Sequence, residues 1–206
     1  MKKGLLLISA GIDSPVAGYL MKKQKVNIKA IHFDNRPYTD YKQLEKTKRL
    51  LKKLKIKKLY VIKFGKIQIE IINNCFRRFQ CVICRRFMFR IAEKIAKKEK
   101  CKFLVTGESL SQVASQTISN LTNAAKAVKI PILRPLLCND KQETIDFAKK
   151  IDTYGISIEP SICCRAVPQH PVTKSKIEKL QKEEKRLNIE KMVNESVKTA
   201  KLIILD

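Results

Sequence analysis

Three groups of residues have the types and spacing to do chemistry. The first is Ser9-Ala10-Gly11-Ile12-Asp13-Ser14, between an apolar run and a helical pattern. Small residues such as Ser9, Gly11 and Ser14 let the backbone curl around an anion, and free N–H groups at the following helix start hold phosphate oxygens. No Walker lysine follows, so this is not the common nucleotide loop. Asp13 would repel a phosphate unless Mg²⁺ bridged the two, which points to ATP complexed with metal. The bland alternative is a strand–helix turn capped by Asp and Ser.

The second group is Cys81-Val82-Ile83-Cys84, opening the strongest helical pattern, with Cys163-Cys164 elsewhere. A CxxC places two thiols on one side of a turn, and a helix N-terminus favours thiolate. Three readings stand. One is a redox pair, whose usual fold signals are missing. Another is inert buried thiols, or structural zinc with Cys163 and Cys164. The third is an iron–sulfur cluster, since soft thiolates select such clusters and three protein ligands leave one iron open to sulfide. Cys75, Cys101 and Cys138 read as small core or surface residues.

The third is a basic stretch, Lys42 to Lys58, with nine Lys or Arg and one Glu in seventeen residues. Leu44, Leu51 and Leu54 give it a buried stripe, so a solvated helix face is the plain reading. An RNA-receiving surface is the functional one, supported by Arg77, Arg78, Arg86 and Arg90 nearby in the sequence. Composition agrees: 44 Lys plus Arg against 19 Asp plus Glu leave a net charge of +25, which favours polyanionic partners.

The 206 residues suit one α/β domain with a small appendage. Two histidines exclude a histidine-built metal centre. Seven cysteines, an odd count, with no secretory signal predict a reducing cytoplasmic setting rather than a disulfide framework. The short apolar run Gly4–Ala10 meets Asp13 too soon for a signal peptide, and no run is long enough to span a membrane.

These groups need elements to hold them. Leu5–Ile8, Ile28–Phe33, Leu59–Ile62, Phe103–Thr106 and Ile130–Leu133 lack alternating polar residues, as strands buried on both faces do. Helical stripes separate them: Val16, Ala17, Leu20 and Met21, with Ser14 as N-cap and Pro15 at the first helical position; Phe87 to Ala96; and Val113 to Leu121. The alternation predicts an α/β fold, a doubly wound parallel sheet of about five strands with right-handed crossovers. Ligands in such sheets sit beyond the carboxyl ends of the strands. The expected division is a catalytic domain over 1–172, then charged helices and a last apolar run, Leu202–Leu205, over 173–206.

Ser-Ala-Gly-Ile-Asp-Ser resembles the pyrophosphate-loop (PP-loop) signature Ser-Gly-Gly-x-Asp-Ser. Further stretches resemble the tRNA 4-thiouridine synthetase branch: Cys84-Arg85-Arg86-Phe87-Met88, Thr106-Gly107-Glu108-Ser109, Gln112 to Thr117, and Leu133-Arg134-Pro135-Leu136 with Asp140-Lys141. His32-Phe33 and Cys164 with Pro171 also fit. The resemblance implies adenylation of a uridine carbonyl oxygen, pyrophosphate release, and displacement of AMP by sulfur.

By position, the resemblance implies that Leu7, Ile8, His32, Phe33, Arg85, Gly107 and Gln116 contact ATP. Lys141 stands near the reacting phosphates, with Glu108 and Ser109 as further candidates. Asp13, Lys141 and Cys164 are then the catalytic set, Asp13 handling Mg²⁺. Cys164 is preferred to Cys163 because it falls at the family's catalytic cysteine, 23 residues after Lys141. With the CxxC of the archaeal branch it gives Cys81, Cys84 and Cys164 as iron–sulfur ligands. Family members carry an RNA-binding region ahead of the loop, and some carry a C-terminal rhodanese-like domain. Here the loop starts at Ser9 and the last residue is Asp206. The expectation is a form without either, using sulfide or a persulfide carrier as donor. Its partner would be tRNA or another RNA, held in part by a separate RNA-binding chain. Sulfur transfer to a small molecule such as a thiamine precursor is the rival, and a non-catalytic ATP or RNA module a third reading.

Overall fold

The computed structural model describes residues 2–110 and 112–205. Its centre is one six-stranded sheet in the order β5-β4-β1-β2-β3-β6. The strands are β1 (Lys3–Leu7), β2 (Asn27–Asp34), β3 (Lys58–Lys63), β4 (Phe103–Val105), β5 (Ile132–Leu133) and β6 (Lys201–Ile204). The first five run parallel, and β6 joins β3 antiparallel through pairs such as Tyr60–Leu202. The architecture is the α/β parallel sheet that the apolar runs predict.

The runs are unbroken because both sheet faces are covered. Leu5, Ile31 and Tyr60 pack with Ile67 and Ile71 of α3 (Gly65–Asn74) and with Phe87, Ile91 and Ile95 of α4 (Gln80–Lys98). Leu6, Ala30 and Leu59 face the other way. They meet Val16 and Ala17 of α1 (Asp13–Lys23), Leu51 of α2 (Lys42–Lys53) and Ala148 of α6 (Lys141–Lys150). Each fully buried aliphatic side chain contributes on the order of 2 kcal/mol to this two-sided core.

Two helix starts differ from expectation. Helix α1 begins at Asp13 with no side-chain cap, and Ser14 is already inside it. Ser14 instead closes the preceding loop: its hydroxyl accepts from Ser9 N–H at 2.9 Å and donates to the Ser9 carbonyl at 3.3 Å. Pro15 is the third helical residue, still inside the first turn where its missing N–H costs nothing. The expected helix from Val113 starts later, as α5 (Ile118–Ala125), with Thr117 as N-cap accepting from Asn120 N–H. Val113 is extended and exposed.

Two further short helices, α7 (Tyr154–Ile158) and α8 (Ile177–Glu184), precede α9 (Ile189–Lys198). Leu180 of α8 and Val193 of α9 pack into the cluster formed around α4. Glu184 ties the tail down, since Arg86 and Arg90 both reach it through paired bonds of 2.6–2.9 Å. Burial alone would raise the Glu184 carboxyl, but the two guanidiniums outweigh it and hold its pKa below the usual range. Arg86 and Arg90 are therefore spent inside the fold and are not the RNA contacts expected of them.

Candidate nucleotide and sulfur site

The carboxyl ends of β1, β2 and β4 surround a cavity of about 270 Å³. Leu7, Ile8, Ser9, Asp13 and Ser14 form one side, His32 and Phe33 a second, and Arg85, Gly107 and Gln116 a third. Residues expected at separate places in the sequence thus meet around one cavity. Gly11 lies outside that lining, and a Cβ there would meet only Ser9 Oγ at 3.5 Å, so sterics do not demand its glycine.

Each wall has a physical reason. His32 is buried, and Nδ1 lies 3.1 Å from the Ile8 carbonyl, which can only accept. Nδ1 therefore carries the proton and Nε2 is left as an acceptor. Desolvation lowers the His32 pKa, so the ring is neutral near pH 7. Phe33 is held edge-on against Phe64, centroids 5.4 Å apart. Gly107 lines the cavity and also admits backbone: a Cβ would stand 2.5 Å from Ser14 N. The close approach locks the end of β4 against the first turn of α1.

Arg85 is partly exposed and paired to Glu108. Its Nη1 lies 2.9 Å from Glu108 Oε1, while Arg134 Nε and Thr106 Oγ1 donate to Glu108 Oε2 at 2.8 and 2.9 Å. Glu108 is 1% exposed and serves both arginines. One carboxylate against two guanidiniums leaves an excess positive charge beside the cavity, suited to an anion. The Gln116 side-chain oxygen is buried without a partner, an acceptor open to a ligand donor.

Asp13 and Lys141 meet across the mouth, Nζ to Oδ1 at 2.6 Å. Lys141 opens α6, whose N-cap Asp140 forms a capping box with Glu143. The sequence also left out Asn35, Thr39, Gln43 and Met88, which line the cavity too. Glu108 was legible beside Gly107, but Asn35 and Thr39 carry no pattern that could have found them.

Cys81, Cys84 and Cys164 come together, each close enough to feel the others' charge, while Cys163 stands apart. Cys164 accepts from the Gln68 side-chain N–H at 3.1 Å, and Cys81 is near enough to feel its charge. Cys163 is exposed. Cys84 lies wholly in the core, where desolvation first and neighbouring thiols second push its pKa well up. Among the described residues no three His, Cys, Asp or Glu side chains are arranged to hold a metal ion. The residues expected to hold an iron–sulfur cluster, Cys81, Cys84 and Cys164, are nonetheless the thiols that lie within charge range of one another.

The family model described as "Thiamine biosynthesis protein (ThiI)" matches residues 1–189. The chain belongs to the ThiI family. A probable tRNA sulfurtransferase of Acetivibrio thermocellus is 45% identical over 210 residues, covering 98% of this chain and 53% of that protein. One from Finegoldia magna is 42% identical over 207 residues, again covering 98% and 53%. The chain thus spans about half the length of the curated ThiI relatives it matches. The crystal structure of a 4-thiouridine synthetase–RNA complex with bound ATP superposes with TM-score 0.95 at 34% identity. It covers all of this chain and 55% of that one. An NMN synthetase from Francisella tularensis, 14% identical with TM-score 0.60, shares the fold alone. Among the described residues no helix is long and apolar enough to cross a membrane.

Proposed function

We propose that this chain performs the ATP-dependent chemistry of a tRNA sulfurtransferase, turning a uridine carbonyl into a thiocarbonyl. The observation that carries the reading is the cavity lined by Ser9, Asp13 and Ser14, with Lys141 paired to Asp13 and with α7, which leads into the cysteine loop, hydrogen-bonded to Gly11. The ThiI relatives are named sulfurtransferases, and the 4-thiouridine synthetase neighbour has ATP and RNA bound.

In the first half-reaction the uridine C4 oxygen attacks the α-phosphorus of ATP and pyrophosphate leaves. His32 and Phe33 take the adenine end, where neutral Nε2 accepts from an amino group. The loop N–H groups and Lys141 take the phosphates and balance charge developing at the α-phosphorus. Asp13 is the residue to hold Mg²⁺, since one carboxylate plus substrate phosphates is a common magnesium set. In the second half-reaction sulfide attacks C4 and AMP leaves, with loss of one proton. Where a persulfide carrier is the donor, Cys164 is the receiving thiol, and the outer sulfur of its persulfide attacks C4 as AMP leaves. A second thiol then breaks the S–S bond by forming a disulfide with Cys164, and an external thiol reductant reopens that disulfide. An iron–sulfur cluster, when bound, would be held by Cys81, Cys84 and Cys164 and would supply an open iron for sulfide.

The test is direct. Protein, tRNA, Mg-ATP and sulfide should yield pyrophosphate, AMP and 4-thiouridine, read by mass spectrometry of the tRNA nucleosides. ADP as the product would overturn the assignment. The family description favours a second reading, sulfur transfer toward a thiamine precursor. Pyrophosphate release that ignores tRNA but responds to a small carboxylated or sulfur-accepting substrate would promote it.

A further inference from the structure

Lys46 is the only buried lysine among the described residues, 4% exposed, though it sits in the most basic stretch of the sequence. Its ammonium donates to the Ser157 and Glu159 carbonyls at 3.0 and 2.7 Å and to Ser161 Oγ at 3.1 Å. All three of its protons are therefore taken. One turn earlier, Gln43 donates to the same Ser161 hydroxyl at 3.0 Å and to the Ile162 carbonyl at 3.1 Å. Asp40 accepts from Ile162 N–H at 3.0 Å.

All of these bonds end on one segment, from Ser157 near the end of α7 through the irregular chain to Ile162, which leads into Cys163 and Cys164. The segment has no ladder of its own beyond Ile158, so these contacts, with Arg49 on Glu159 and Arg165 N–H on the Tyr38 carbonyl, fix its path. Its other end touches the phosphate loop, where Ser157 Oγ donates to the Gly11 carbonyl at 3.3 Å. Gln43 also lines the nucleotide cavity. The same face of α2 therefore grips the cysteine loop and forms the cavity wall.

We infer that Lys46 is a positioning residue, holding the Cys163–Cys164 loop in register with the nucleotide cavity. The inference deepens the proposed function and rests on Cys164 as the sulfur-handling thiol. Sulfur must meet a carbonyl carbon that is fixed by the nucleotide, and a misplacement of about 1 Å at such a centre can cost about a hundredfold in rate. A loop tied to the helix that lines the nucleotide cavity keeps that distance without a rigid element of its own.

The full-length chain with Lys46→Met keeps the side-chain stem and removes all three donors. Iodoacetamide alkylation is followed at each cysteine by mass spectrometry, with exposed Cys138, outside the loop, as internal reference. Cys163 and Cys164 should react several-fold faster relative to Cys138, because the loop is released. Sulfur transfer should lose on the order of tenfold or more in kcat, with KM for ATP little changed, since nucleotide binding is left alone. Relative alkylation rates equal to wild type in folded Lys46→Met protein would overturn the inference. Should that variant not fold, Ser161→Ala removes one acceptor from the loop side. It is then read the same way, with smaller changes expected and the same overturning result. Alkylation needs no turnover, so a failure of the proposed activity shows separately in the wild-type assay.

Discussion

The Lys141 ammonium lies 2.6 Å from Asp13 although 128 residues separate them. The pair joins the N-terminus of α1 to the N-terminus of α6. A carboxylate belongs at a helix N-terminus, but a lysine there opposes the helix dipole by about 0.3–1 kcal/mol. Lys141 is therefore poorly placed for stability and well placed for an anion bound between the two helices.

That contrast sets the first prediction. The side chains are 45% and 26% exposed, so the pair contributes at most about 1 kcal/mol to folding. Lys141→Met should shift the melting temperature little while lowering pyrophosphate release on the order of a hundredfold or more. Asp13→Asn should act chiefly through the magnesium concentration needed for half-maximal rate. A loss of stability large enough to account for the loss of activity would make the pair structural.

Glu108 gives a prediction of the opposite kind. Its carboxylate is buried between Arg85 and Arg134, so Glu108→Ala leaves two guanidiniums facing one another. Removing one partner of a buried pair costs about 3–5 kcal/mol, with the partly exposed arginines favouring the lower end. The urea midpoint should fall accordingly, and ATP binding measured by calorimetry should weaken with it. Adding Arg134→Ala to Glu108→Ala should restore part of the stability, because the repulsion is removed. Strictly additive losses would refute the shared-counterion account.

What the sequence allowed and hid follows from range. Strands β1 to β4 were legible because burial on both faces removes polar residues from a local run. The phosphate loop was legible because Ser9 to Ser14 is contiguous. The fate of Arg86 was not, since its partner Glu184 is 98 positions away and nothing near Arg86 announces it. Lys46 was hidden likewise: its acceptors are mainly backbone carbonyls, which every residue has. Gly107 was marked correctly as special, but the backbone it admits belongs to Ser14, on another element.

Glu99 supplies a pH test. It follows α4 and accepts from Lys29 and from the Tyr60 hydroxyl, with Lys58 at 3.6 Å. Desolvation pushes its carboxyl up, but the bonds from Lys29 and Tyr60 prevail and bring its pKa down from 4.5 to about 2. A depressed carboxyl stabilises the fold above its unfolded value and loses that contribution as pH falls through the folded one. Stability should therefore decline between about pH 4.5 and about pH 2. Glu99→Gln should be less stable at neutral pH and show a flatter decline across that interval. An unchanged acid limb in urea titrations would remove Glu99 from the balance.

The last prediction concerns the charge of +25. The basic stretch is now divided by its contacts. Lys46 is turned inward, Arg49 forms two bonds to Glu159, and Lys53 approaches Asp152 at 3.7 Å. Lys52 has no ion pair among the described residues and shares a broad depression of about 990 Å³ with Arg49, Lys53 and Lys149. If this face receives RNA, binding should be driven by phosphates and weakly selective for sequence. Counterion release from roughly six or more phosphates would cost on the order of a thousandfold in affinity between about 50 and 200 mM salt, with RNA somewhat less steep than duplex DNA. Lys52→Glu with Lys53→Glu should weaken all RNAs alike and flatten the salt dependence. ATP binding should be untouched, because the reversed side chains do not line the nucleotide cavity. In a thiolation assay the same variant should raise KM for tRNA with little change in kcat, the pattern of lost uniform binding. Filter binding that is indifferent to salt and to these reversals would mean that this face does not carry the RNA, and the small-molecule reading would gain.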